Sequence, residues 1–488
     1  MQVLNRFTKL TAQTAAGAAD EFGTPLYIYD EEMILNRCRE CLDMPNPYGL
    51  TVRYAMKANS NRTILSLING AGLHIDASSL GEVMRANLAG IPLERIMLTT
   101  QEVPQDSSRE KLEQLMLSGL NYNVCSMRQL RLIADFAAVN NLEIGIRVHP
   151  GIGAGESSTR NTGDEYACFG VHRSDLFEAV RYAGEKGLKF KHIHEHIGSG
   201  GDPSIWQQNI DVQLDIIEKH FPDAEVVCFG GGLKEARMPG ENRADVNKLG
   251  LYAKERIERY YEKTGIKLKM EIEPGTYIVA NAGYAITRII DKKQTARANF
   301  IIIDGGMEIN SRPLLYGSAH PIYVVSADGR LLSSEFENPA AEDINGNVNL
   351  SESIDESTQE SDGLAEVILK TAAEAKSEAV NIAVADETDK TITEAKNGTY
   401  KAVVAGKCCE SGDCQTLDGD GHALQRAMAE PEIEDIAIIG GTGAYCSSMA
   451  PFNYNSHVQA PEVLFTAEGK LELIRRRQTL EQMLINEL

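Results

Sequence analysis

Short apolar runs alternate with amphipathic segments over roughly the first 285 residues of the chain. Eight runs of four to seven residues have the pattern of buried strands. The segments between them repeat apolar residues every three or four positions, as helices do. Eight strands separated by helices predict an α/β fold of the (β/α)8, TIM-like barrel type. The predicted barrel strands are 52–56, 72–77, 95–98, 121–124, 143–148, 190–196, 225–229 and 268–272.

The pattern changes near residue 285, after which short strands follow one another with few helices between them. This succession of short strands predicts a β-rich second domain, either a β-barrel or a β-sandwich. We predict a barrel over 31–284, and a β-rich domain built from 1–30 and 285–488. The strands predicted for the β-rich domain are 24–30, 284–290, 300–303, 322–325, 401–404, 436–439, 462–466 and 470–475.

The chain is acidic, and its charge is unevenly placed. The 488 residues carry a net charge of −22, which argues against nucleic acids and anionic membranes as partners. Residues 331–400 hold sixteen acidic residues and four lysines, a balance of −12. Within them, 363–380 has helical spacing. We predict that 335–398 is a solvated insertion in the β-rich domain; a docking surface is the alternative.

The remaining composition points to the cytoplasm. No apolar run approaches the length needed to cross a bilayer, and the N-terminus lacks the pattern of a signal peptide. The odd number of cysteines, nine, is typical of reduced thiols. Cys38 and Cys41 form a CxxC without a second pair, so we interpret them as helix residues and predict no metal site.

One lysine stands out at the end of the first predicted barrel strand, where Leu50, Val52, Tyr54 and Met56 alternate with other residues. Lys57 follows them. It is either a surface lysine at a strand end or an amine inside a pocket. In a pocket, desolvation would lower its pKa and make it a nucleophile that forms Schiff bases.

The later strand ends carry further candidates, since chemistry in this fold sits at the carboxyl ends of the strands. His194 and His196 face the same side of their strand. They are either zinc ligands, a wall on which a planar ring stacks, or buried core histidines. No third zinc ligand is evident. A glycine triplet at 230–232 can expose backbone N–H groups to a phosphate. Glu273 lies on a rigid Glu-Pro-Gly turn.

An amine, a phosphate cradle and a carboxylate at strand ends together describe a site for pyridoxal phosphate. The chain resembles the fold-type III, alanine-racemase-like decarboxylases, and specifically the diaminopimelate decarboxylase family. The resemblance runs from about residue 20 to the end and is interrupted by 335–398. Its motifs are Tyr54-Ala-Met-Lys57-Ala-Asn, His194-Glu-His196-Ile-Gly-Ser-Gly, Gly230-Gly-Gly232-Leu, Glu273-Pro-Gly275, Cys409-Glu410-Ser-Gly-Asp413 and Gly443-Ala-Tyr445, with a similar tail at 473–479.

The resemblance implies roles for individual residues. Lys57 would bind the cofactor covalently, His196 would stack on its ring, and Glu273 would pair with its pyridine nitrogen. A carboxylate at that nitrogen makes the ring a strong electron sink, which favours decarboxylation over racemisation. The phosphate ligands would be Ser199, Gly230, Gly231, Gly232 and Tyr445, with Asp76 and Arg147 as supporting residues near the ring or as ordinary polar groups at strand ends.

The resemblance also implies a homodimer with shared active sites. Cys409 would protonate the carbanion in the site of the partner subunit, and Glu410 would contact the substrate amine there. A site built by two chains requires a two-fold dimer. Two other classes stay open: an amino-acid racemase, and a catalytically inactive homologue that only binds.

The substrate is predicted from two departures from the family. Thr276 stands where the family has an arginine for the distal carboxylate, although Arg312 and Tyr316 of an Arg-Pro-x-x-Tyr motif remain. Asp164 stands in a loop where a glycine is expected. Both changes make the pocket more negative, and we predict a D-diamino acid, D-lysine or D-ornithine, as substrate. The alternative is meso-diaminopimelate, with Asp164 only capping its loop and Arg312 sufficing.

Overall fold

A closed barrel of eight parallel strands forms the first half of the chain. The computed structural model describes residues 3–5, 8–153, 162–164, 166–198, 203–336, 400–418 and 421–488. Helix α1 (Ala12–Phe22) and strand β1 (Leu26–Asp30) precede the barrel. The barrel strands pair in chain order, and the last closes on the first. They are β2 (Leu50–Ala55), β3 (His74–Ala77), β4 (Ile96–Thr99), β5 (Asn121–Val124), β6 (Gly145–Arg147), β7 (His192–His194), β8 (Val226–Cys228) and β9 (Lys269–Ile272).

Helices surround the barrel and begin at residues that suit helix starts. Asp30, at the end of β1, accepts a hydrogen bond from the N–H of Met33 at 3.0 Å. Ser79 and Ser126 cap two later helices in the same way. The helices are α2 (Glu31–Leu42), α3 (Arg62–Gly70), α4 (Leu80–Leu88), α5 (Asp106–Leu117), α6 (Met127–Val139), α7 (Leu176–Glu185), α8 (Pro203–His220), α9 (Val246–Thr264) and α10 (Thr276–Val279).

A mostly antiparallel sheet of ten strands forms the rest. β1 joins it, pairing antiparallel with β10 and parallel with β17. Its main path runs β13-β12-β16-β10-β1-β17-β18, and β11, β14 and β15 extend from β10. The elements are β10 (Gly283–Gln294), β11 (Asn299–Ile303), α11 (Arg312–Tyr316), β12 (Ile322–Val325), β13 (Leu331–Ser334), β14 (Tyr400–Ala405), β15 (Arg426–Met428), β16 (Ile436–Gly440), β17 (Glu462–Phe465), β18 (Leu471–Arg475) and α12 (Leu480–Leu484).

The predicted fold class is confirmed, and all eight predicted barrel strands exist. β13 and β15 were not predicted. The barrel and the sheet belong to one compact unit, so the domain boundaries stay a prediction. Of the predicted acidic insertion, 337–398 lies outside the described residues, as does the helix predicted at 363–380. No described helix is long and apolar enough to span a membrane.

The barrel interior is polar below the mouth. Arg53 donates two hydrogen bonds to Glu271, at 2.9 and 3.1 Å, and His192 lies 2.8 Å from the same carboxylate. Arg53 and Glu271 are buried, and burial of such a pair is tolerated because each charge has a partner. This layer supports the next one, which carries the candidate site two residues further along each strand.

Candidate active site

The side chains predicted from the strand ends converge on one cleft at the barrel mouth. The cleft has two lobes, which share Lys57, Asp76, His196 and Glu273. The lining of the first lobe also includes Gly231, Gly232, Thr276 and Tyr445, and that of the second includes Arg147, Phe169 and His194.

Lys57 follows β2 in a single turn of 3-10 helix, Met56–Ala58, and its side chain stays open to solvent in the cleft. The expected lowering of its pKa is wrong. The surrounding cleft walls desolvate the amine and lower its pKa even though the side chain is accessible to solvent, but Tyr445 and Asp76 raise the pKa more, so it lies above its ordinary value. The amine is therefore held as a cation in the cofactor-free chain.

The glycine triplet leaves room that a side chain would fill. A Cβ at Gly231 would lie 2.5 Å from the carbonyl oxygen of Glu273, and one at Gly232 would lie 2.7 Å from that of Gly198. Gly230 and Gly232 have φ of +65° and +93°, which favour glycine. The loop therefore comes close to its neighbours and presents bare backbone to the cleft.

Glu273 is 6% exposed and has a hydrogen-bond donor at each carboxylate oxygen. His194 Nε2 lies 2.8 Å from Oε2, and the Cys228 thiol lies 3.4 Å from Oε1. Burial alone would raise the pKa of Glu273, but His194 and the nearby Lys57 hold it below its usual value. Glu273 is thus an ionised carboxylate in a buried place.

The pKa of Asp76 is shifted in the opposite direction to that of Glu273. Burial and the charge of Glu273 raise the pKa of Asp76 well above its usual value, with Lys57 opposing them. Neighbouring carboxyl groups whose pKa values are pushed apart are typical of active sites.

His196 is placed as a neutral ring. Its Nδ1 accepts a hydrogen bond from the N–H of Gly231 at 3.0 Å. Burial, with the charges of Lys57 and Arg147, lowers the pKa of His196 well below its usual value. A neutral imidazole on the cleft wall can stack on a planar ring. Arg147, at the end of β6, lies with its guanidinium carbon 4.9 Å from the centroid of the Phe169 ring.

Tyr445 and Arg312 come from the β-rich part of the chain; Tyr445 lines the cleft, and Arg312 is not among the described lining residues. The N–H of Tyr445 donates to Ala58 O at 2.8 Å, which ties this tyrosine to the loop of the lysine. Arg312 is 3% exposed, and its guanidinium carbon lies 5.6 Å from the Tyr316 ring centroid and 5.8 Å from that of Tyr445. Among the described residues, no carboxylate lies within ion-pair distance of Arg312. Thr276 lines the cleft beside Tyr445.

Other predicted site residues lie apart from this cleft. Cys409 and Glu410 are exposed, and neither is among the described residues that line its two lobes. Glu410 accepts a hydrogen bond from Tyr454 Oη at 2.9 Å. Asp164 accepts a hydrogen bond from the N–H of Tyr166 at 3.0 Å, which is the kind of contact expected if Asp164 only caps its loop. Ser199 lies outside the described residues.

The structure also bears on the zinc alternative for the paired histidines. Cys228 and Glu273 bring ligand atoms close to His194, within 4.8 Å of one another. Sequence reasoning found no third ligand because these residues come from two other strands. The hydrogen bonds of His194 and Cys228 to Glu273 account for the cluster. Sequence reasoning also missed His194 itself as a partner of Glu273; the His-x-His spacing was the available signal.

Comparison with known proteins gives a consistent result. Residues 32–280 match the family described as pyridoxal-dependent decarboxylase, pyridoxal binding domain. The diaminopimelate decarboxylase of Escherichia coli K12 is 31% identical over 99% of this chain and 98% of its own. A crystal structure of diaminopimelate decarboxylase superposes with a TM-score of 0.79 at 29% identity, covering 100% of this chain and 99% of that one. The Helicobacter pylori diaminopimelate decarboxylase complexed with L-lysine has a TM-score of 0.70 at 25% identity, covering 96% and 98%.

The barrel, the cleft and the family match define a pyridoxal-dependent decarboxylase, which is a lyase. More narrowly, the chain belongs to the diaminopimelate decarboxylase family. Its cofactor is pyridoxal phosphate. The cleft fits this group, because the amine, the bare glycine backbone and the ionised carboxylate surround one space.

Proposed function

We propose that the chain decarboxylates meso-diaminopimelate at its D-configured centre and releases L-lysine. The observation that carries this choice of substrate is Arg312, a buried cation with no carboxylate partner among the described residues, whose guanidinium carbon lies 5.8 Å from the ring centroid of the cleft residue Tyr445. The named relatives support it.

Pyridoxal phosphate supplies an electron sink that lets the bond from Cα to the carboxylate break. Lys57 would bind it, and the neutral ring of His196 would hold its plane. The backbone of the glycine triplet, with Tyr445 and Ser199, would hold the phosphate, and Asp76 and Arg147 would support the ring. Glu273 would accept a hydrogen bond from the pyridine nitrogen, which its ionised state supports.

Arg312 is assigned to the distal carboxylate of the substrate. An unpaired guanidinium costs free energy when buried, and a bound carboxylate offsets that cost with a bidentate pair. A buried guanidinium favours a substrate with a distal carboxylate over one that ends in an ammonium group alone.

The site is completed by a second copy of the chain. Cys409 of the partner subunit would donate a proton to Cα of the substrate, and Glu410 of the partner subunit would contact the substrate amine. The exposure of both residues, and their absence from the described lining of the cleft in their own chain, support a two-fold homodimer. Nine free thiols support a reducing compartment such as the cytoplasm.

D-lysine or D-ornithine is the second candidate, and Thr276 favours it. This threonine lines the cleft where the family has an arginine, so one cation for the distal carboxylate is missing. The second departure from the family, Asp164, supports this candidate less strongly, because its carboxylate already accepts a hydrogen bond from the N–H of Tyr166 in the same loop.

Release of CO2 from meso-diaminopimelate, D-lysine, D-ornithine and their L-forms, compared by kcat/KM, tests the substrate. We expect the highest kcat/KM for meso-diaminopimelate. Arg312→Gln is expected to lower that value about 30-fold or more, since breaking a desolvated charge pair costs roughly 2–5 kcal/mol. Its effect on D-lysine, which has no distal carboxylate, is expected to be small.

A higher kcat/KM for either D-diamino acid than for meso-diaminopimelate would contradict the proposal and favour the second candidate. Equal losses on both substrates in Arg312→Gln would remove Arg312 as the carboxylate ligand. Exchange of the α-proton without CO2 would indicate a racemase.

A further inference from the structure

We propose that His194 is a positioning residue: its neutral imidazole donates from Nε2 to Glu273 and holds that carboxylate ionised and oriented toward the pyridine nitrogen of the cofactor. The inference rests on the proposed role of Glu273. The two atoms, Nε2 and Oε2, are 2.8 Å apart, and both side chains are at least nine-tenths buried.

The tautomer of His194 follows from its surroundings. Nδ1 is buried and has no hydrogen-bond partner among the described residues, whereas Nε2 faces a carboxylate oxygen. A proton on Nδ1 would therefore be buried without an acceptor. Burial also lowers the pKa of His194 more than Glu273 raises it. The ring is thus neutral, with its one hydrogen on Nε2.

The neutral state of His194 determines how it acts on Glu273. A neutral donor stabilises the carboxylate without adding a positive charge that would compete with a protonated pyridine nitrogen. The Cys228 thiol, 3.4 Å from Oε1, fixes the other oxygen. With both oxygens bound, the carboxylate cannot rotate away from the cleft, and each keeps a lone pair free for the cofactor.

The chain offers a matched control on the same strand. His192 lies two residues before His194, and its Nε2 is 2.8 Å from Glu271 Oε2, the same contact in the layer below the cleft. Glu271 keeps two hydrogen bonds from Arg53 without it. His192→Leu therefore removes a comparable, partly buried contact from a carboxylate that does not line the cleft, together with the contact of His192 Nδ1 with Asn123 Oδ1 at 3.0 Å.

The test compares wild type with His194→Leu, His194→Gln and His192→Leu. Glutamine keeps an N–H near the Nε2 position, while leucine keeps only volume. In the cofactor-free chain, the Glu273 carboxyl carbon is followed by NMR against pH, with its signal identified by Glu273→Gln. In the loaded enzyme, 15N-labelled pyridoxal phosphate reports protonation of the pyridine nitrogen, and kcat and KM are measured.

We expect His194→Leu to raise the Glu273 titration midpoint and shift the 15N signal toward the unprotonated form. kcat should fall about ten- to a hundred-fold, as for the loss of one hydrogen bond to a charged group, with KM nearly unchanged. His194→Gln should restore most of each quantity. His192→Leu should change only thermal stability.

An unchanged Glu273 titration in His194→Leu would overturn the inference, and so would equal 15N shifts in His194→Leu and His192→Leu. If His194→Leu does not fold, absence of any rescue by a folded His194→Gln overturns it. Failure of the wild type to bind the cofactor would instead overturn the proposed function, and the titration in the cofactor-free chain would still decide the role of His194.

Discussion

At the scale of single residues, Gly231 shows how closely the glycine loop at 230–232 packs against its neighbours. Its missing side chain leaves 2.5 Å between a Cβ position and the carbonyl oxygen of Glu273, and 3.3 Å to His196 Cε1. Both neighbours belong to the proposed cofactor site. A methyl group here would displace backbone, which cannot move aside as a flexible side chain can.

Gly231→Ala is therefore expected to weaken cofactor binding about tenfold or more and to destabilise the fold by about 1–3 kcal/mol, the usual range for overpacking. Cofactor affinity is measured by titration of its visible absorbance, and stability by thermal unfolding. Gly184→Ala is the control. Gly184 lies in α7 with nothing within 4 Å of its Cβ position, so alanine should stabilise by about 0.5–1 kcal/mol. Equal cofactor affinity of the Gly231→Ala and Gly184→Ala variants would contradict the proposal that the glycine backbone at 230–232 binds the cofactor.

The sequence predicts the residues of the cleft better than their electrostatics. Lys57, His196 and Glu273 were found because each follows a barrel strand, and strand ends meet at one mouth. The direction of the Lys57 pKa was wrong, because the carboxyl group of Asp76 and the phenol of Tyr445 reach it from distant parts of the chain. Cross-strand partners such as His194 and Glu273 are likewise fixed only by barrel register.

At the scale of elements, the barrel strands were predictable because their short apolar runs alternate with amphipathic segments. β13 and β15 were not. β13 is half-buried along its whole length and β15 has three residues, so neither shows a clear alternation. β15 nevertheless matters, since it and the residue that directly follows it, Ala429, contact the chain on both sides of the acidic segment. Ala429 N–H donates to Ser333 Oγ at 2.9 Å, and Met428 pairs with Tyr400.

Replacing 337–399 with a short glycine-serine loop is therefore expected to leave the fold and cofactor binding intact, because both flanks already meet at β15. Circular dichroism, thermal unfolding and cofactor absorbance check this. Loss of cofactor binding would contradict it.

A longer replacement, 335–399, is the matched comparison. It also removes Glu335, which accepts a hydrogen bond from Arg426 Nε at 2.7 Å, and Phe336, whose ring stacks on Tyr323 with centroids 6.3 Å apart. We expect this version to unfold at a lower temperature than the shorter one. Equal stability would mean that these two contacts do not hold the flank.

At the scale of the whole molecule, the barrel of one chain holds the amine, and Cys409 is exposed and is not among the described residues that line the cleft. An active site that needs both groups is complete only if Cys409 comes from a second chain. The account therefore depends on a dimer in which each site takes residues from two copies.

Two purified heterodimers, each isolated with two different affinity tags, test this directly by CO2 release. The first combines a Lys57→Ala chain with a Cys409→Ala chain. The second combines a chain carrying both substitutions with a wild-type chain. The account predicts about half the wild-type activity per dimer in the first, where one of two symmetric sites is intact, and almost none in the second. Activity in the second and none in the first would place Cys409 in the site of its own chain and contradict the account.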